Sequence, residues 1–272
     1  MPLTTRIISS SQSGTFAKHT HRGVVFLAHS MLFVLGTHVV SLILLLIGII
    51  EVLSEQDIGR ALVIILSVMS SKNPLIYIPA ILLTLFSLCG YILFFLGWFF
   101  IVFGQKEIGG VYSPGVLIGS ISAFIYLIIY LVKLSASAFT LLGFATLAFL
   151  QEIFIGAGLL FNIFDAVLVS VAMLQFAKHI AFPTTLYHLR NTGYMYIGGA
   201  ASTAIGYVVL FSGIIFSAVS APLVIVGLVL LYLGFAVMIT ALMKFYELYF
   251  VIVKRIESGD YIHHSERMES TW

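Results

Sequence analysis

Charge is scarce in this chain: only 9% of its 272 residues are Asp, Glu, Lys or Arg, where a soluble domain carries roughly 25%. Too few polar side chains remain to coat a water-facing surface, so soluble-enzyme and nucleic-acid-binding readings fall away. The net charge of +2 is too small to imply a polyanionic partner. Cysteine is almost absent, and the single Cys89 excludes an intramolecular disulfide framework and any cysteine-based zinc or iron-sulfur centre. Six prolines and 23 glycines are too few for a collagenous or low-complexity chain. Also missing are a Walker loop, a dinucleotide glycine fingerprint, a serine nucleophile elbow and a metalloprotease helix motif. Gly109 and Gly110 after Glu107 form only a turn. What the chain has is apolar mass, 61% hydrophobic residues with a mean hydropathy of +1.13, the composition of an integral membrane protein.

A bilayer's hydrocarbon, about 30 Å thick, takes about 20 apolar residues at ~1.5 Å each, and that ruler partitions the sequence. Seven long runs qualify, at approximately 24–50, 75–103, 114–132, 136–155, 158–178, 194–217 and 222–250, each ended by a charge, a proline or glycines. An eighth run, Ala61 to Ser71, is short and framed by Glu55, Asp57, Arg60, Lys72 and Pro74, so it reads as a tilted, half-length or re-entrant helix. The runs are continuous rather than alternating, and an open sheet edge is not tolerated in lipid, so the expected fold is all-α, a polytopic transmembrane helix bundle. Residues 1–22 read as a polar tail, 23–253 as a single transmembrane domain and 254–272 as a second polar tail. Val24 to Ile50 is about twice the length of a signal-peptide core, so it is expected to be a retained first span.

Lys and Arg gather in short cytoplasmic loops, which turns the crossing number into a count. If Ala61 to Ser71 does not cross, Arg6, Lys18, Arg22 and Lys106 share the N-terminal side and the other nine of the 13 lie opposite. If it does cross, only Arg60 and Lys106 lie opposite and eleven share the N-terminal side. The stronger bias favours eight crossings in the cell membrane, with both termini cytoplasmic.

Small residues four apart let transmembrane helices approach closely, and Gly115 with Gly119, and Gly198 with Ser202 and Gly206, form such stripes. Phe94, Phe95, Trp98, Phe99 and Phe100 near the end of one run read as an interfacial aromatic belt. Ionisable groups in hydrocarbon are the suspects for function, since each costs ~2.5–3.5 kcal/mol at a helix centre. Asp165 lies within 158–178 and shares a small and polar stripe with Gly158, Asn162 and Ala172. It either hydrogen-bonds across a helix pair or serves as a proton or cation site. His38 lies mid-way along the first run, either as a neutral imidazole bonded locally or as a proton relay. His29, nine residues earlier, is turned by about 900° and faces the opposite way, so the two histidines cannot share a ligand. Lys244 and Glu247, three apart, either satisfy each other or snorkel to the headgroups. The basic and histidine-bearing segments Lys18 to Arg22 and Lys178 to Arg190 suit an anionic headgroup layer. His19 with His21, or His263 with His264, lacks the further ligands a metal needs, and no cofactor is expected. A haem between His29 and His179 fits loosely. Retinal at Lys244 has no evident counter-ion.

The stretch Gly97-Trp98-Phe99-Phe100-Ile101-Val102-Phe103-Gly104, followed by Lys106, Ile108, Tyr112 and Gly115-Val116-Leu117-Ile118-Gly119, resembles a segment of a domain-of-unknown-function family of multi-pass membrane proteins from thermoacidophilic archaea. It covers about 25 residues, rests on glycine and aromatic placement, and implies no functional residues. Three readings of function follow. The leading one is a non-enzymatic integral membrane protein, an accessory subunit seated in the lipid bilayer among other membrane subunits. The alternatives are a proton- or cation-coupled transporter using Asp165 and His38, and a b-type haem cytochrome subunit.

Overall fold

A backbone in lipid must satisfy its own hydrogen bonds, and this chain does so with helices. The computed structural model describes residues 17–54, 74–104, 107, 116–125, 127–128, 131, 163–164, 166–178, 181–215 and 221–258. Among these are six helices of ten residues or more and no strand: α1 (Lys18–Ser54), α2 (Pro74–Phe103), α3 (Val116–Ile125), α4 (Ala166–Ala177), α5 (Pro183–Ile215) and α6 (Ala221–Ser258). The all-α expectation holds.

Two helical hairpins form the body. In the first, α1 runs antiparallel to α2, and their axes approach because glycine stands where a side chain would collide. A Cβ on Gly23 would lie 2.7 Å from the Gly97 carbonyl oxygen and 2.6 Å from Ile101, and one on Gly90 would lie 3.2 Å from Val34. In the second, α5 runs antiparallel to α6. A Cβ on Gly199 would lie 3.0 Å from the Gly234 oxygen, and one on Gly206 3.0 Å from the Gly227 oxygen. Ser202 Oγ adds a cross-helix bond, donating to the Leu230 carbonyl at 3.0 Å. Helix α1 then packs along α6, which joins the hairpins.

Several expectations change here. Three described segments are long and apolar enough to cross a membrane, Lys18–Leu46, Leu82–Phe103 and Pro222–Ser258, while α3 and α4 are shorter apolar helices. Seven long spans are therefore not what the described residues carry, and the expected run 136–155 and the short run Ala61 to Ser71 lie outside them. The run expected from 194 begins as helix at Pro183. Proline suits a first helical position, where its missing N–H has no intrahelical acceptor to lose. Eight crossings would place Lys18 and Glu107 at opposite ends. Instead the Glu107 carboxylate accepts from the backbone N–H of His19 at 3.0 Å and of Thr20 at 3.1 Å, capping the start of α1 with a residue that follows α2. Likewise His21 Nε2 meets Glu257 Oε1 at 2.8 Å, so the start of α1 and the end of α6 share one end of the bundle. The start of α5 joins them, since the Arg255 guanidinium lies 3.3 Å from the Phe182 ring centre.

The aromatic belt is also corrected. Trp98 is fully buried and Phe94 nearly so, because this face of α2 turns inward to α3 and α4. Gly119 sits directly against the Trp98 indole, and Phe176 meets it edge-on with centroids 6.2 Å apart. Phe99 and Phe103, on the other side of α2, are exposed as a belt requires.

Candidate functional site

The helices converge on a cleft of about 250 Å³ near the middle of their length. Helix α1 contributes Met31, Val34, Thr37, His38 and Ser41, on positions three, four and seven apart that form one helical face. Tyr91 and Phe94 come from α2, Val169 from α4, Tyr196, Thr203 and Tyr207 from α5, and Phe235 and Met238 from α6. No charged side chain among the described residues lines it. Phe235 meets the His38 ring edge-on at 5.8 Å and fixes its tilt.

Four polar groups of the lining, on α1 and α5, turn a proton to a backbone carbonyl. His38 Nδ1 lies 2.7 Å from the Val34 carbonyl oxygen. A carbonyl only accepts, so Nδ1 carries the proton and, in the neutral ring, Nε2 keeps a lone pair. The hydroxyls behave alike: Ser41 donates to the Thr37 carbonyl at 2.9 Å, Thr37 to the Phe33 carbonyl at 3.1 Å and Thr203 to the Ala200 carbonyl at 2.8 Å. Thr37 Oγ1 also stands 3.4 Å from Ser87 Oγ, across the α1–α2 seam.

No protein-family model, curated protein sequence or solved structure matches this chain. The site therefore has to be judged on its own geometry.

His38 is the one residue of the sequence-derived polar site that the described structure places. Asp165 and Asn162 lie outside the described residues, as does Gly115 among the packing glycines. His29 is exposed, its Nδ1 2.7 Å from the Val25 oxygen, and its ring lies against Phe250 of α6, the helix whose Phe235 meets His38. Gly119 and Gly206 lie at close helix contacts, but Gly198 is exposed with nothing within 4 Å of where a Cβ would be. Its neighbour Gly199 makes the contact instead. Lys244 leaves Glu247 and sets Nζ 3.9 Å from Met195 Sδ. No cluster of three His, Cys, Asp or Glu side chains that could hold a metal is found among the described residues. The sequence reading missed the tyrosines, Thr203 and Met238. Tyr91, Tyr196 and Tyr207 each sit in an apolar stretch of helix, and mid-helix tyrosines outside an interfacial belt were the signal available.

Proposed function

We propose that this protein is a multi-pass cell-membrane transporter of a small solute, working without covalent chemistry, with its cleft at His38 as the solute site. The observation that carries this reading is the cleft itself, where helices from both hairpins converge with an imidazole and several hydroxyls inside an otherwise apolar bundle. Polar groups within spans are costly and pair with one another or face a pathway, and this cluster does both. A proton- or cation-coupled mechanism would draw on His38 and on Asp165, four positions before the cleft residue Val169 in sequence.

The start of α1 and the end of α6 share one end of the bundle, where Lys18, Arg22, Lys254 and Arg255 lie. By the positive-inside rule that end is cytoplasmic. Membership of the archaeal multi-pass family that residues 97–119 resemble belongs to the same proposal. The haem reading finds less support, since the cleft is below the ~300 Å³ at which pockets for drug-sized ligands begin, and His38 is the only histidine among its described lining residues.

The test is flux in proteoliposomes, following a panel of small solutes with and without a pH gradient. Saturable uptake of one solute class, lost in His38→Ala, is the expected result. A protein that moves no solute, and that purifies only in fixed stoichiometry with other membrane chains, is instead an accessory subunit.

A further inference from the structure

The direction in which three of the cleft's polar groups bond constrains what it holds. His38, Ser41 and Thr203 have each turned their proton to a backbone carbonyl of their own helix, at 2.7, 2.9 and 2.8 Å. What they offer the cleft is lone pairs: the imidazole Nε2, on the ring edge away from Val34, and two hydroxyl oxygens. A ligand that only accepts would leave these groups unmatched in a low-dielectric interior, at a cost that hydrogen-bonded occupants avoid. A ligand that donates meets whichever of them its proton reaches, the imidazole Nε2 first, since among the described residues that atom makes no other hydrogen bond.

Size and polarity narrow the class further. A cavity of about 150 Å³ admits benzene, so one of about 250 Å³ has room for a single ring with a small substituent. Phe94 and Phe235 supply aromatic walls on which a ring packs edge-on or offset. Aromatic walls also suit a cation, but no carboxylate among the described lining residues would compensate one, and a charge in this setting carries a large desolvation cost. From these observations we infer that the cleft recognises a small, uncharged, single-ring molecule bearing a hydroxyl or N–H donor, of which phenol is the simplest member. The inference rests on reading the cleft as a solute site and adds the chemistry of the solute.

The experiment is equilibrium binding of radiolabelled phenol to the full-length protein in nanodiscs, corrected with empty nanodiscs for partition into lipid. Anisole, which keeps the ring and loses the donor, and tetramethylammonium, which keeps only the charge, serve as competitors. Saturable phenol binding is expected. Anisole should compete about tenfold more weakly, the size of one hydrogen bond, and tetramethylammonium should not compete. Ser41→Ala, a change too small to disturb the fold, should weaken phenol about tenfold, and His38→Phe should weaken it at least as much. Anisole equal to phenol, or tetramethylammonium displacing it, overturns the donor inference and leaves the solute site standing. Absence of saturable binding by any of the three overturns the solute site itself.

Discussion

Whether a glycine can be replaced depends on what stands opposite it, and two glycines of this chain bracket the range. Gly119 faces the indole of Trp98, a rigid and fully buried ring that cannot swing aside. Gly119→Ala should therefore destabilise the protein by about 1–3 kcal/mol, the usual cost of forcing a methyl group into a packed site. Gly198 faces open space, and there Gly198→Ala should be neutral or gain up to about 1 kcal/mol from helix propensity. Reversible denaturation in mixed micelles would compare the two, and equal losses would refute the close contact at Trp98. A smaller effect is expected at Ser202, whose hydroxyl reaches the Leu230 carbonyl across the helix pair. Ser202→Ala should cost about 0.6 kcal/mol, the average for a cross-helix bond in a membrane.

At the scale of elements, both hairpins are built on small residues seven apart rather than four apart. Gly90 and Gly97 on α2, with Gly104 just after it, face Val34, Leu27 and Thr20 on α1, while Gly199, Gly206 and Gly213 on α5 face Gly234, Gly227 and Val224 on α6. A seven-residue interval keeps one face toward the partner over several turns, which is why the seam continues along each pair. This repeat is visible in the sequence once sought. The four-residue pattern found Gly206 and, one position off the seam, Gly198, because it described local crossings and not long antiparallel contacts. Hydropathy located α1, α2 and α6 well, yet misplaced the start of α5 by 11 residues. It measures which residues suit hydrocarbon, whereas α5 continues through Tyr187, His188 and Arg190 beyond the apolar stretch. The cleft was the least legible feature, since His38 stood out by type while its partners on four other helices are joined to it only by packing. The seam yields a prediction of its own: Gly206→Val, with its Cβ 2.8 Å from the Leu231 backbone nitrogen and 3.0 Å from the Gly227 carbonyl oxygen, should part α5 from α6 and sharply reduce recovery of monodisperse protein. Recovery equal to that of the unaltered chain would show that the hairpin tolerates a wider spacing.

For the whole molecule, the contacts between described helix ends lead to a different expectation of topology from the charge count. A bias of eleven to two favoured a crossing between α1 and α2, but a count of side chains is blind to which ends touch. The contacts of Glu107 with His19 and Thr20, and of His21 with Glu257, place the start of α1, the end of α2 and the end of α6 together. Glu51, near the end of α1, belongs to the opposite end, about 50 Å away along the helix at ~1.5 Å per residue. Replacing Cys89 with serine removes the only native thiol, after which single cysteines can be read with a membrane-impermeant maleimide on oriented vesicles. Lys18→Cys, Glu107→Cys and Lys254→Cys should all label from one side, the cytoplasmic one, and Glu51→Cys from the other. Glu107 labelling opposite Lys18 would restore the eight-crossing order and break the α1–α2 hairpin. Lys254 labelling opposite Lys18 would instead break the α1–α6 contact, since His21 meets Glu257 and His29 meets Phe250 only if those two helices run antiparallel, and the cleft they line with His38 and Phe235 would go with it.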